Sequence, residues 1–230
     1  MKTIIIIPVY NEKKNIHYLL SKIRKLNKFP ILYINDNSND GTTQEIKKLQ
    51  KKNKNIFHML RTSKSGIGSA HMDGLIWCYK KNYDLIVTMD GDGTHDPKYI
   101  KKMIEKTKKN HITISNRFLK KNSLKTWPLL RIFITYSRYY LIFLLLGIKF
   151  DASGAFRCIN RKKVNLKDLI LKDDTDYSYF WKSIYMLSLK YDIKEISIDL
   201  PYRKQGDSKM KLKHIFSSLI KLLFFSFKKK

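Results

Sequence analysis

Polar and apolar positions along this chain change period in a regular way. Residues 3–7 are an unbroken β-branched run, the pattern of a strand covered on both faces. The polar stretch behind it places Ile16, Leu19, Leu20, Ile23 and Leu26 on one face of a helix. A second strand is predicted at 31–35 (ILYIN), then a turn and helix over NDGTTQEIKKLQKK. A third strand at 56–60, a helix over 69–81 and a fourth strand in DLIVTMD follow. This alternation implies an α/β fold, a mostly parallel, doubly wound sheet flanked by helices, whose ligands bind beyond the carboxyl ends of the strands. The segments at those ends are PVYNE, NDNSNDGT, RTSKSGIGSA and DGDGTHDP.

After HITISNRF (111–118) the pattern changes. Residues 128–150 are strongly apolar with Arg131 and Arg138 embedded, and DASGAFRCINRKKV predicts a turn, a short strand and a helix start. The tail mixes aromatic and aliphatic residues with Lys213, His214 and Lys221. A main domain over 1–210 and a basic amphipathic extension over 211–230 are expected, with no linker to mark the boundary.

A hydrophobic content of 43% excludes a wholly disordered chain. Cys78 and Cys158 lie far apart and outside metal or redox spacings, which argues for a reducing compartment. The first apolar run is too short for a signal peptide, and YYLIFLLLGI at 139–148 falls short of the ~20 residues of a membrane span, so neither a leader nor an anchor is expected. Lys+Arg 47 against Asp+Glu 19 gives a net charge of +28, which suits a nucleic acid or an anionic membrane. The excess of Lys over Arg, with abundant Asn and Ile, is also what biased genomic base composition produces, so charge alone does not choose.

The stretch VTMDGDGTHDP carries the clearest chemistry. Asp96, ahead of Pro97, is expected to cap a helix. Asp90 and Asp92 sit two apart at a strand mouth, so extended backbone points both carboxylates the same way, with Gly91 leaving room for a ligand. Paired carboxylates call for a cation, and Mg²⁺ or Mn²⁺ completed by phosphate oxygens suits them better than a solvated loop does. GIGSA at 66–70 is not a dinucleotide fingerprint, because His71 fills the third glycine position. The helix behind it either offers amides to an anion or packs closely.

Taken together, IIIPVYNEKKNI, INDNSNDGT, KSGIGSAHMDGL, VTMDGDGTHDP, SNRF, DASGAFR and YRKQGDSKM resemble, in order and spacing, family 2 glycosyltransferases of the GT-A fold, nearest to the dolichol-phosphate (polyprenyl-phosphate) mannosyltransferases. The resemblance covers about residues 3–210. It implies metal-dependent, inverting transfer of a sugar, mannose from GDP-mannose or glucose from UDP-glucose, to a polyprenyl phosphate. By matched motif, Pro8, Tyr10, Glu12 and Asp36 would hold the nucleotide, and Asp90, Asp92 and Thr94 the metal. Arg117 and Arg157 would face the acceptor phosphate and the diphosphate, while Arg203, Ser208 and Lys209 would belong to a loop closing over the donor. Asp92, Arg117 and Arg157 are thus the expected catalytic residues.

The chain departs from the family pattern at Asn35 (usually Asp), Thr94 (often Gln) and around Trp181 (a Glu expected). Either Arg131 or Arg138 matches the acceptor-side arginine. A lipid acceptor implies a peripheral enzyme on the cytoplasmic face of a membrane, with 128–148 and 212–227 as interfacial helices; the alternatives are a core helix and docking on the domain. A hydroxyl acceptor would instead need a base such as Asp173 or Asp174, which could equally cap a helix. A nucleic-acid partner is not expected, since it would leave the paired aspartates and SGAFR unexplained.

Overall fold

A computed structural model describes residues 1–203, 205–206 and 212–228. In chain order the elements are β1 (Thr3–Val9), α1 (Lys13–Leu26), β2 (Ile31–Asn35), α2 (Thr42–Lys52), β3 (Ile56–Leu60), α3 (Ile67–Lys80), β4 (Leu85–Thr88), α4 (Tyr99–Lys109), β5 (Ile112–Asn116), α5 (Leu129–Leu146), β6 (Arg157–Asn160), α6 (Leu166–Leu169), α7 (Ser178–Ser188), β7 (Ile193–Ser197) and α8 (Leu212–Lys228).

The strands form one sheet in the order β3-β2-β1-β4-β6-β5-β7. β1 pairs in parallel with β2 and β4, β2 with β3, and β5 with β7, while β6 lies antiparallel between β4 and β5. The apolar run of β1 is explained by alternation: Ile4 and Ile6 pack on one face with residues of α3, α5 and α7, Ile5 and Ile7 on the other with α1, α2 and α4. Both faces are covered, so no polar position interrupts the strand.

Several details differ from the pattern. β7 has no counterpart in it, because IKEIS offers only Ile193 and Ile196 to the core of this edge strand. Leu26, the last residue of α1, is exposed beyond the face that Ile16, Leu19 and Ile23 bury. Asp96 Oδ1 accepts from the Lys98 amide at 3.0 Å, so it caps the turn leading into α4 rather than α4 itself.

α5 is longer than its apolar heart suggested: its 18 residues make it long and apolar enough to cross a membrane by length and composition. Only 11% of it is buried, so it is not a core helix, and Leu129 (84%), Leu144 (76%) and Phe133 stand exposed. α8 packs one face on the body, with Leu222 buried and the Phe225 ring against Trp181 and Tyr185. Its other face exposes Phe216, Ile220, Phe224 and Phe227.

Candidate active site

The site opens where two neighbouring strands part. β1 and β4 stay in register only to Ile6 and Thr88, whereas β1 continues beside β2 to Val9 and Asn35. Pro8 sits past that divergence, where a missing amide leaves no β4 partner unpaired. Gly91 fills the gap: a Cβ there would lie 2.7 Å from Val9 Cγ1 and 3.1 Å from the Pro8 carbonyl. Close approach of β1, rather than of a ligand, is therefore what requires glycine. Beyond the parting lies a cleft of about 680 Å³. Pro8, Tyr10, Glu12, Asp36, Asp90, Asp92, Thr94, Arg117 and Arg203 line it, and α5 and α8 supply the facing wall with Leu130, Arg131, Ile134, Arg138, His214 and Ile215.

Asp90 and Asp92 both line the cleft, carried on a turn rather than on the extended backbone their spacing assumed. Asp92 Oδ1 accepts from the Thr94 amide (3.0 Å) and hydroxyl (2.7 Å), so Thr94 orients that carboxylate. The Asp90 amide donates to His95 Nδ1 at 3.0 Å, which fixes the ring as a neutral Nε2–H tautomer stacked on Phe156. Burial keeps His95 neutral, lowering it to about 4. Burial, then the charge of Asp92, holds the Asp90 carboxyl well above the usual carboxylate range. Among the described residues neither aspartate pairs with a Lys or Arg, and no third acidic, His or Cys side chain completes a cage. Two adjacent carboxylates without a protein cation are the donor set of a hard divalent ion that takes its remaining oxygens from phosphates and water.

The other carboxylates are held by cations. Glu12 takes Arg203 Nη2 on both oxygens (3.1 and 3.0 Å) and Asn15 Nδ2 at 2.6 Å, with burial raising its pKa. That pair ties Arg203, after β7, to the segment after β1 on the cleft lining. Ser208 and Lys209 lie outside the described residues. Asp36 Oδ1 accepts from Arg61 Nη1 (2.7 Å) and the Ser65 amide (3.0 Å), and Oδ2 from the Gly66 amide (3.1 Å). Arg61 was missed by the sequence reasoning; an arginine just after a strand, in a chain rich in lysine, was the available signal. Asn35 is buried and spent on the loop: it donates to Thr43 Oγ1 and accepts from the Ser38 amide.

The amides at the start of α3 are not an anion seat. Those of Gly68 and Ser69 donate to the Thr175 carbonyl at 2.8 and 3.2 Å. Gly66, at φ +99°, admits that contact because it carries no Cβ, which would lie 2.4 Å from the same oxygen. Close packing is the alternative realised. Asp174 is likewise turned from the cleft, accepting from Lys182 Nζ (2.6 Å) and Ser178 Oγ (2.9 Å), and Asp173 is exposed. Trp181, at the position where a glutamate was expected, donates to Ser218 Oγ at 3.2 Å and ties α7 to α8.

The arginines divide into two kinds. Arg117 follows β5 and is oriented by Asp151, Nε to Oδ2 2.7 Å, on the cleft wall. Arg138 also lines the cleft but makes no hydrogen bond or ion pair with any described residue, and burial followed by the charge of Arg117 lowers its pKa to about 10. Arg131 stacks on Trp127 (4.8 Å) and Tyr202 (5.3 Å) nearer the mouth. Arg157 does not reach the cleft. It donates to the carbonyls of Gly154 (2.9 Å), Ala152 (3.2 Å) and Phe180 (2.7 Å) and to Ser183 Oγ (2.7 Å). Because β6 runs antiparallel, SGAFR reaches the rim before its strand, and Arg157, paired with Thr88, is already inside the sheet. It braces the 152–154 turn against α7 and is not placed to touch a phosphate.

The comparisons agree with this geometry. Residues 4–166 match glycosyl transferase family 2. The chain is 27% identical to the polyprenol monophosphomannose synthase of Mycolicibacterium smegmatis over 96% of its own length and 85% of that protein's. It is 31% identical to the dolichol-phosphate mannosyltransferase of Pyrococcus furiosus, over 95% and 62%. The mannosyltransferase of Pyrobaculum calidifontis, solved with GDP-Man and Mn²⁺, superposes with a TM-score of 0.58 at 16% identity, covering 99% of this chain and 63% of that one. The parted parallel strands and the matching sequence are those of the GT-A fold, and the chain belongs to glycosyl transferase family 2 and is a glycosyltransferase.

Proposed function

We propose that this enzyme transfers mannose from GDP-mannose to a polyprenyl phosphate, with inversion at the anomeric carbon, on the cytoplasmic face of a membrane. The observation that carries this proposal is the composition of one continuous cleft. Asp90 and Asp92, with no Lys or Arg partner among the described residues, lie at one end; two guanidiniums follow, Arg117 on the strand-end rim and Arg138 on the facing α5–α8 wall, whose outer side is apolar and exposed. That sequence of surfaces suits a diphosphate with its cation, then an anionic acceptor, then a hydrocarbon chain. The names of the bacterial and archaeal relatives support the acceptor class and mannose.

Pro8, Tyr10, Glu12 and Asp36 form the nucleotide's end of the cleft. Mg²⁺ or Mn²⁺, held by Asp90 and Asp92 with Thr94 orienting the latter, would neutralise the diphosphate and favour its departure. Arg117 and Arg138 orient the acceptor phosphate; Arg138, with no protein partner among the described residues, is the open seat. A phosphate monoester is mostly dianionic at neutral pH, its second pKa being ~6, so the nucleophile needs placement more than a base. The positions of Asp173 and Asp174 agree with that. The exposed faces of α5 and α8 would lie on the lipid surface, with Arg131 and Arg138 of α5 turned inward.

The test is a donor-by-acceptor assay: labelled GDP-mannose and UDP-glucose, each with a short polyprenyl phosphate and Mn²⁺, for wild type and Asp92→Ala. Lipid-soluble label from GDP-mannose, lost on adding EDTA and in the variant, is expected. Label from UDP-glucose alone would replace the sugar, and no label from either donor with folded protein would overturn the acceptor class.

A further inference from the structure

We propose that Arg61 is the positioning residue of the nucleobase seat, and that it leaves Asp36 a single open acceptor matched to a base with a ring N–H. The proposal rests on the nucleotide-sugar function above. Arg61 does not line the cleft; Asp36 does. The guanidinium holds four groups: Nη1 donates to Asp36 Oδ1 (2.7 Å) and the Gly66 carbonyl (3.3 Å), Nη2 donates to Ser69 Oγ (2.8 Å), and Nε lies 3.0 Å from Asp73 Oδ2 as an ion pair. It thereby joins the end of β2, the loop before α3 and the first turns of α3. Its own amide is fixed on the Asn35 carbonyl at 3.0 Å. A lysine has one charge centre and cannot reach Asp36, Ser69 and Asp73 together.

A carboxylate offers about four acceptor positions. On Asp36, Arg61 and the Ser65 amide fill both on Oδ1, and the Gly66 amide takes one on Oδ2. One remains, on the side chain that faces the cleft. Guanine N1–H and uracil N3–H each present a ring N–H that fills it. Adenine N1 and cytosine N3 present a lone pair there and are repelled. Arg61 therefore sets base discrimination without touching the base, by keeping Asp36 fixed and three-quarters occupied.

Binding of GDP, UDP, ADP and CDP to the full chain with Mn²⁺, measured by titration calorimetry, tests this in wild type, Arg61→Lys and Arg61→Gln, each with a melting curve. Wild type is expected to bind GDP or UDP at least about tenfold more tightly than ADP and CDP, one buried hydrogen bond to a charged group being worth about that ratio. Both variants should lose most of this preference and raise the donor KM about tenfold, while kcat at saturating donor changes by less than about threefold, the pattern of lost uniform binding. Arg61→Lys keeps the charge beside Asp36, so it carries the test should the Gln variant fail to fold. Preference and affinity unchanged in folded Arg61→Lys, or no preference in wild type, would overturn the proposal while leaving the nucleotide function intact. Failure of wild type to bind any of the four would sink both.

Discussion

The strand-end rim and the α5–α8 flank face each other across one cleft but are finished to different degrees. On the rim most charged side chains already have protein partners: Asp36 with Arg61, Glu12 with Arg203, Arg117 with Asp151. The Asp90–Asp92 pair is the exception, having no Lys or Arg partner among the described residues. On the flank, Arg138 makes no hydrogen bond or ion pair among the described residues, and large apolar side chains face outward along both helices. Unfinished valence thus occurs at two charged points of opposite sign and on one apolar face. Those are where ligands are to be sought, since a folded chain leaves a charge unpaired in a cleft, or a broad apolar face bare, at a cost that something must offset.

The strongest way to break that contrast is at the carboxylate pair. Asp92→Ala should cut transfer on the order of 10³-fold, several kcal/mol at about 1.4 kcal/mol per decade, with an unchanged circular dichroism spectrum. A variant retaining a tenth of the activity would put the cation elsewhere. Next come the two arginines, which separate site from scaffold. Arg138→Ala should lower kcat/KM for the acceptor about 10²-fold without loss of melting temperature, as a phosphate contact removed from an otherwise intact wall. Arg157→Ala should instead cost about 2–4 kcal/mol of stability in urea unfolding, because it leaves the Gly154 and Ala152 carbonyls without a donor in the interior. Exchange of those two outcomes would refute the assignment.

Acid should undo the packed half first. Burial lowers His71 to about 3, so between that value and about 6.5 the unfolded chain binds the proton and the folded chain does not. Stability therefore falls as pH drops through this window, by about 1–2 kcal/mol between pH 7 and 5 in urea midpoints. His71→Gln should flatten the slope. The smallest effect on stability is expected on the flank: Leu144→Ser with Phe224→Ser should shift unfolding by less than about 0.5 kcal/mol each, as exposed positions do. The same pair should weaken sedimentation with anionic vesicles. A large loss of stability instead would mean that these faces are covered in the folded protein.

Sequence and structure agree where local pattern and global topology coincide. The β1 run, the parallel order and the loops after β1, β2 and β4 were legible because each parallel strand delivers its loop to the same rim. Arg157 was misjudged because β6 runs the other way, and strand direction is a long-range property that no short pattern encodes. Arg61 escaped notice because its partners Asp36, Ser69 and Asp73 become neighbours only after β2, β3 and α3 assemble. That Arg131 and Arg138 both line the cleft depends on the rotation of α5, which its nearly all-apolar surface does not specify. Substituted family positions proved informative: Trp181 and Asn35 both serve contacts within this chain.

The attachment of α8 bears on how this protein can be handled and how it can have evolved. Trp181 holds Ser218, Asp176 holds Lys221 at 2.9 Å, and Phe225 covers Trp181 and Tyr185. Trimming the chain at residue 211 to make a more tractable soluble enzyme would therefore uncover two buried aromatics while deleting a greasy surface. The shortened protein should aggregate more readily, not less. By the same reasoning, α8 is not an address label that can be exchanged between homologues; it travels with the α7 surface that receives it.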